Sequence, residues 1–256
     1  MGPRGLRRRT RDHAMRMKPS ARGPWAALLC ACLVAAAACA DVPEDADPVI
    51  LVHGLGRTSR SLIYLETRLR REGFRVVSFD YPSRTEPIEV LVDSLRSVVA
   101  GCCMHEASEV HFVTHSMGGI LVRSLLAEDS TRHVGRVVML SPPNQGSEVV
   151  DAFASSPLLV ALLGPAGASL GTDSASVPRQ LGPVRFPLGV VVGNRSLTRV
   201  GSWLIPGADD GLVGVEQARV DGLADFLVVP STHTTIMNRP ETADAVLSFL
   251  RFGRFE

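Results

Sequence analysis

From residue 48 onward, apolar and polar positions follow two alternating rhythms. Pro48 to His53, PVILVH, is an unbroken apolar run, the pattern of a strand buried on both faces. Gly54-Leu55-Gly56 interrupts it. Over Ser59 to Glu72, Leu62, Leu65 and Leu69 recur at helical spacing among Arg and Glu, and Gly73 supplies a stop. The same reading predicts a strand over Phe74 to Phe79 and a helix over Pro87 to Ala100, with Ile88, Leu91, Leu95 and Val98 or Val99 on one side. It predicts a third strand over Glu109 to Thr114, a turn over His115 to Gly119, a helix over Ile120 to Ala127 and a fourth strand over Val134 to Leu140. Repeated strand–helix units of this length imply an α/β fold, a mainly parallel sheet with helices on both faces.

After Ser141-Pro142-Pro143-Asn144 the rhythm fails. Residues 145–185 are rich in Gly, Pro, Ser and Ala and read as short helices and loops that cap the sheet as a lid. Strands return over Pro187 to Val192 and Phe226 to Val229. A terminal helix over Glu241 to Arg251 turns Ala245 and Phe249 inward. With no linker or repeat in view, residues 41–256 read as one domain.

The first forty residues follow neither rhythm. Eight basic residues and one acidic residue precede an uncharged run, Trp25 to Ala40, and Asp41 to Asp45 follow it. A positive stretch, a short apolar stretch and small residues at its end describe a secretory signal peptide. The run is shorter than the roughly 20 residues that a spanning helix needs. Two outcomes lead, with an uncleaved anchor behind both: cleavage after Ala40, or a lipoprotein signal with lipid on Cys39 and membrane association through it. Either makes the protein exported: periplasmic, secreted or a membrane-anchored lipoprotein. Three of the five cysteines (Cys30, Cys32, Cys39) lie in this leader. Cys102 and Cys103 are neighbours and cannot close a loop by a disulfide, and no metal-ligand spacing surrounds them.

Charge sharpens the partner question. Of 27 basic and 26 acidic residues, the leader removes eight and one, which leaves 19 and 25 and a body near −6. A mildly acidic body argues against nucleic acid, whose binding needs a basic face. The chain gives no sign of its oligomeric state.

The chemistry concentrates at Thr114-His115-Ser116-Met117-Gly118-Gly119, where a strand turns into a helix. A serine there is forced into a strained turn that pushes its hydroxyl out at the top of the sheet. Gly118 supplies the small residue two positions after it, whereas Thr114 stands where a Gly is usual. Backbone N–H groups at the start of the following helix face developing negative charge. A serine hydroxyl needs a base, and the base a carboxylate to hold it. Among the seven histidines, His13 lies in the leader, and His53, His105, His111, His115 and His133 fall before or too near the sheet positions a base would use. His233 lies after the last strand and before the terminal helix. Between serine and histidine, Ala208-Asp209-Asp210-Gly211-Leu212-Val213 offers the acid. Asp210 is preferred to Asp209, with Asp221 and Asp225 as weaker alternatives. The oxyanion donors are the N–H groups of Met117, after the serine, and Leu55, in the loop His53-Gly54-Leu55-Gly56. Gly54 keeps that backbone unobstructed, and His53 reads as a residue that holds the loop.

HGLG, THSMGG, DDGLV and the late His together resemble bacterial triacylglycerol lipases and esterases, and the PGAP-like lipases, of the α/β-hydrolase superfamily. The resemblance runs from about Pro48 to the C-terminus. It implies the α/β-hydrolase fold with a short cap over residues 145–185. It implies Ser116 as nucleophile, His233 as base, Asp210 as orienting acid, Leu55 and Met117 as oxyanion donors, and no metal or organic cofactor. Ser141 to Ser147 resembles the loop that leads from a strand into the cap in these relatives. Asn144 and Gln145, with His53 and Gly54, are therefore expected at the substrate cleft. The short Gly/Ala-rich cap departs from enzymes that act on long-chain triglycerides. The expected substrate is a small-molecule ester or lipid, cleaved as a carboxylic ester. The rival readings are an acyltransferase with the same triad and a non-catalytic binding protein on a hydrolase scaffold.

Overall fold

Six parallel strands form one sheet in the order β2-β1-β3-β4-β5-β6: β1 (Pro48–Val52), β2 (Arg75–Phe79), β3 (Val110–His115), β4 (Val134–Leu140), β5 (Leu188–Gly193) and β6 (Asp225–Val229). The computed structural model describes residues 47–102, 109–128, 134–197 and 199–256, and Gly2. The expected leader with Cys39, and Cys103, His13, His105 and His133, lie outside the described residues. Among those described, no helix is long and apolar enough to cross a membrane.

The apolar runs form the central strands because both of their faces are covered. Every residue of β1, β3 and β5 is buried. On one side, α2 (Ile88–Cys102) and α3 (Met117–Glu128) close a core that holds Ile50, Val52, Phe112, Leu91 and Ile120. On the other, α1 (Ile63–Arg71) and α8 (Pro240–Phe252) close a second core around Leu51, Val113, Val191, Leu65 and Phe249. Each such side chain contributes about 1.5–3 kcal/mol on leaving water. The alternation within each strand therefore assigns its residues to one core or the other.

The expected elements are present with adjusted ends. The helix expected from Ser59 starts as a 3-10 turn, Ser59–Leu62, before α1. The turn expected over His115 to Gly119 shrinks to one residue: β3 runs through His115 and α3 starts at Met117, because Gly118 and Gly119 fit inside the first helical turn. Cys102 ends α2 half-buried. The 145–185 segment folds as α4 (Glu148–Ala154), α5 (Pro157–Ala168) and the single turn α6 (Val177–Gln180). A kink at Gly164, φ 69°, divides α5, and a Cβ there would collide with the Arg84 carbonyl oxygen. One further helix, α7 (Arg199–Leu204), was not foreseen.

Candidate active site

Ser116 is the single residue between β3 and α3, and its φ of 52° is left-handed, a conformation that costs a non-glycine residue on the order of 1–3 kcal/mol. Packing holds it there. Its N–H donates to the Leu140 carbonyl on β4 at 2.9 Å, and its carbonyl accepts the Gly119 N–H at 2.9 Å. A Cβ on Gly118 would stand 2.5 Å from the Val52 carbonyl oxygen and 2.7 Å from that of His53. The motif's glycine is thus set by how closely α3 passes the end of β1. The second glycine answers the departure at Thr114: a Cβ on Gly119 would lie 3.2 Å from Thr114 Oγ1, so a bare position faces the bulkier side chain.

The Ser116 hydroxyl lies 2.9 Å from His233 Nε2, and His233 Nδ1 lies 2.9 Å from Asp210 Oδ2. Asp210 is 2% exposed. Its other oxygen accepts the Leu212 and Val213 N–H groups at 3.1 and 2.8 Å. Burial by itself would raise the Asp210 carboxyl. The charge and hydrogen bond of His233, with hydrogen bonds from Ser141 and the Val213 N–H, outweigh it and hold the group below its ordinary value. The carboxylate is therefore ionised at neutral pH, and it fixes the His233 proton on Nδ1 so that Nε2 is free to accept from the serine. The loop also closes on itself, since the His233 N–H donates to the Asp210 carbonyl at 2.9 Å.

The alternatives to Asp210 have other work. Asp209 accepts the Gly211 N–H at 2.7 Å and the Ser202 hydroxyl at 3.0 Å, which ties the loop to α7. Asp225 accepts the Phe226 and Phe255 N–H groups. Asp221 accepts the Val184 N–H through its backbone carbonyl.

The backbone N–H groups of Leu55 and Met117 have no protein acceptor among the described residues. Gly54 brings their two loops together, with its Cβ position 3.1 Å from Ser116 Cβ. His53 is fully buried. Its Nδ1–H donates to the Gly54 carbonyl at 2.9 Å, its Nε2 accepts the Tyr81 N–H, and its ring stacks on that of Tyr81 at 4.0 Å. It holds the loop and does not face the cleft.

A pocket of about 210 Å³ opens over Ser116. Val149, Val150 and Phe153 of α4, Leu163 of α5, Leu170 and Leu212 give it apolar side chains, and Leu55, Arg57, His233 and Thr234 share the lining with Ser116. None of the four expected cleft residues, His53, Gly54, Asn144 and Gln145, lines this pocket. Asn144 is 2% exposed, receives Arg123 at 3.2 Å and donates to the Ala218 carbonyl at 2.8 Å. The Gln145 amide points toward the Glu216 and Arg219 carbonyls. Their neighbours Pro143 and Ser147 line the pocket instead, on either side of a tight turn in which the Gly146 N–H donates to the Pro143 carbonyl at 3.0 Å. A larger depression of about 520 Å³, lined by Arg123, Leu126 and Phe186 among others, brings together no serine, histidine or carboxylate among the described residues.

Two supporting residues escaped the sequence reading. His115 is buried, and its Nε2–H donates to the His233 carbonyl at 2.9 Å. Burial, with the neighbouring His233 charge, pushes its pKa down to about 3, so it is neutral at working pH. Ser141, φ 47°, lies against Asp210 at the end of β4. Both sit next to residues that the sequence flagged, but no spacing rule marks a histidine that acts through another residue's carbonyl.

No curated protein matches the chain. Among solved structures, the Bacillus licheniformis lipase BlEst2 in its mature form superposes with a TM-score of 0.64 at 20% identity, over 84% of this chain and 94% of that one. Phospholipase PlaB from Legionella pneumophila gives 0.64 at 16% identity, over 82% of this chain and 60% of that one. A bromoperoxidase from Bacillus anthracis gives 0.58 at 17%, over 80% and 92%. Likenesses at these identities show the fold. The model of the alpha/beta hydrolase family matches residues 49–250, which span the sheet, the strained serine and its two partners, and the chain belongs to that family.

Proposed function

We propose that this hydrolase cleaves carboxylic esters through an acyl-enzyme on Ser116. The observation that carries the reading is the unbroken run Asp210–His233–Ser116, with both links at 2.9 Å, beneath an apolar pocket. Ser116 Oγ attacks the acyl carbon while His233 Nε2 takes its proton. The Leu55 and Met117 N–H groups hold the resulting oxyanion. The tetrahedral species collapses, the C–O bond to the alcohol breaks, and His233 returns the proton to the leaving oxygen. Water then attacks the acyl-serine with His233 as base, releasing the acid and restoring the serine. Lipase and esterase relatives of the same fold, and a wall of Val, Leu and Phe suited to an acyl chain, support an ester substrate over a polar one.

The test is hydrolysis of p-nitrophenyl esters of graded chain length by residues 41–256, with Ser116→Ala beside it. Turnover that disappears in the variant is expected. Equal turnover by the variant, or none by a folded wild-type protein, rejects the reading. We also propose that residues 1–40 export the protein, on the charge pattern of that segment. Radiolabelled fatty acid incorporated by the wild type and lost in Cys39→Ala separates lipidation from cleavage after Ala40.

A further inference from the structure

The pocket lining mixes two chemistries. The side chains that α4 and α5 give it are apolar. Arg57 and Thr234 line it as well, and Arg57 is the one charged side chain on the lining among the described residues. No carboxylate tempers it, because Asp210 is sealed behind His233. Several other surface arginines are paired with acids: Arg68 with Asp244, Arg70 with Glu66, Arg251 with Glu72. Arg57 meets no acid among the described residues. Its backbone is fixed all the same: its N–H donates to the Gly54 carbonyl at 3.2 Å, in the loop that carries Leu55. A free cation is thus held two residues from an oxyanion donor.

Which half of the substrate meets it follows from the chemistry. His233 must return its proton to the leaving oxygen, so the alcohol lies on the His233 side, beside Thr234. The acyl chain takes the apolar side chains of α4 and α5, so an anionic group that meets Arg57 on the same lining belongs to the alcohol. A guanidinium offers a planar fork of N–H donors that suits phosphate or carboxylate oxygens.

We propose that Arg57 selects esters whose alcohol carries an anionic group, phosphate or carboxylate, a few bonds from the ester oxygen. The inference rests on the serine-hydrolase reading above. Arg57 and the anion form a partly exposed pair, so the preference is modest, about three- to tenfold, and it shrinks as salt rises.

The experiment uses three octanoyl esters whose alcohols carry negative, no and positive charge: octanoylglycerol phosphate, octanoylglycerol and octanoylcholine. Their kcat/KM values are measured at low and high salt for the wild type, Arg57→Ala, Arg57→Glu and Ser116→Ala. Expected is the order anionic, neutral, cationic for the wild type, a flattened ratio in Arg57→Ala and an inverted ratio in Arg57→Glu. Ratios that are the same in all three active proteins overturn the Arg57 assignment and leave the nucleophile untouched. Turnover that persists in Ser116→Ala overturns the reading beneath it. Inorganic phosphate as a competitive inhibitor of the wild type and not of Arg57→Ala adds support. Octanoylglycerol carboxylate analogues tell a phosphate-specific site from a general anion site.

Discussion

The β3–α3 corner and the α4–α5 cap meet at one pocket and are built in opposite ways. At the corner every residue of β3 is buried, and Ile120, Leu121 and Val122 of α3 have no exposed surface. Side chains of β3 enter both cores, Phe112 one and Val113 the other. The cap carries no charged residue from Ala152 to Thr172. The first half of α5 nonetheless enters neither core, and Leu158 and Leu162 stand 79% and 51% exposed. An all-apolar helix is ordinarily buried. The difference teaches a division of labour. On the proposed reading, the serine is set where close packing leaves no alternative position, while the substrate would be chosen by a wall whose α5 side chain, Leu163, enters neither core.

The sharpest break of this comparison is at its rigid end. Ser116→Ala should lower kcat by about 10,000-fold or more, with an unfolding midpoint in urea close to wild type, since among the described residues the hydroxyl's hydrogen-bond partner is His233 alone. Next comes Gly118→Ala. Its Cβ would press on two backbone carbonyls of the β1 end, and those cannot yield without moving the Leu55 loop. A loss of about 2–3 kcal/mol in urea unfolding is expected, together with a fall in kcat. A stable, fully active variant would mean the corner has slack.

The same contrast explains what could be read in advance. PVILVH and EVHFVT announce buried strands because burial on both faces removes polar residues altogether. HSMGG marks the corner because each small residue answers a contact within about 4 Å of it. Asp210 and His233 follow from chain order once the serine is placed. Asn144 and Gln145 did not resolve, because a one-residue difference in a tight turn decides which side chains face the cleft, and the chain turns at Pro143–Gly146. His115 was passed over because its neighbour carries the chemistry. Its own role lies in a bond to the His233 carbonyl, 118 positions away, which no local pattern encodes.

A smaller effect tests how tightly the corner is sealed. Folded, His115 keeps a pKa of about 3, while the unfolded chain takes a proton below 6.5. The unfolded state therefore binds more protons in that interval. The stability His115 confers is complete above pH 6.5 and is lost as pH falls toward 3, by about 1.4 kcal/mol per pH unit. His53 and His111, also lowered by burial, act in the same direction. Asp210, held below its ordinary value of 3.8, acts only at the acid end, as pH falls through its folded value. His115→Gln retains a donor for the His233 carbonyl and removes the titration. Its urea-unfolding free energy should fall less steeply between pH 6.5 and 4 by about one proton's worth of slope. Parallel curves for the two proteins would mean that His115 is protonated in the folded state.

The smallest effect belongs to the cap. Leu163 lines the pocket from α5 yet joins neither core. Leu163→Trp should therefore change stability by no more than about 0.5 kcal/mol. It thrusts a larger side chain into a pocket of about 210 Å³, where acyl methylenes would lie. A methylene that a pocket can no longer hold costs about tenfold or less in kcat/KM, so the chain-length optimum should move to shorter esters while short-chain kcat stays near wild type. Loss of kcat at every length would mean that the substitution disturbs His233 or the Leu55 loop. The cap and the corner would then be mechanically joined, and the division between them would not hold. An unchanged optimum with unchanged stability would place the acyl chain away from α5, along Leu212 and Leu170.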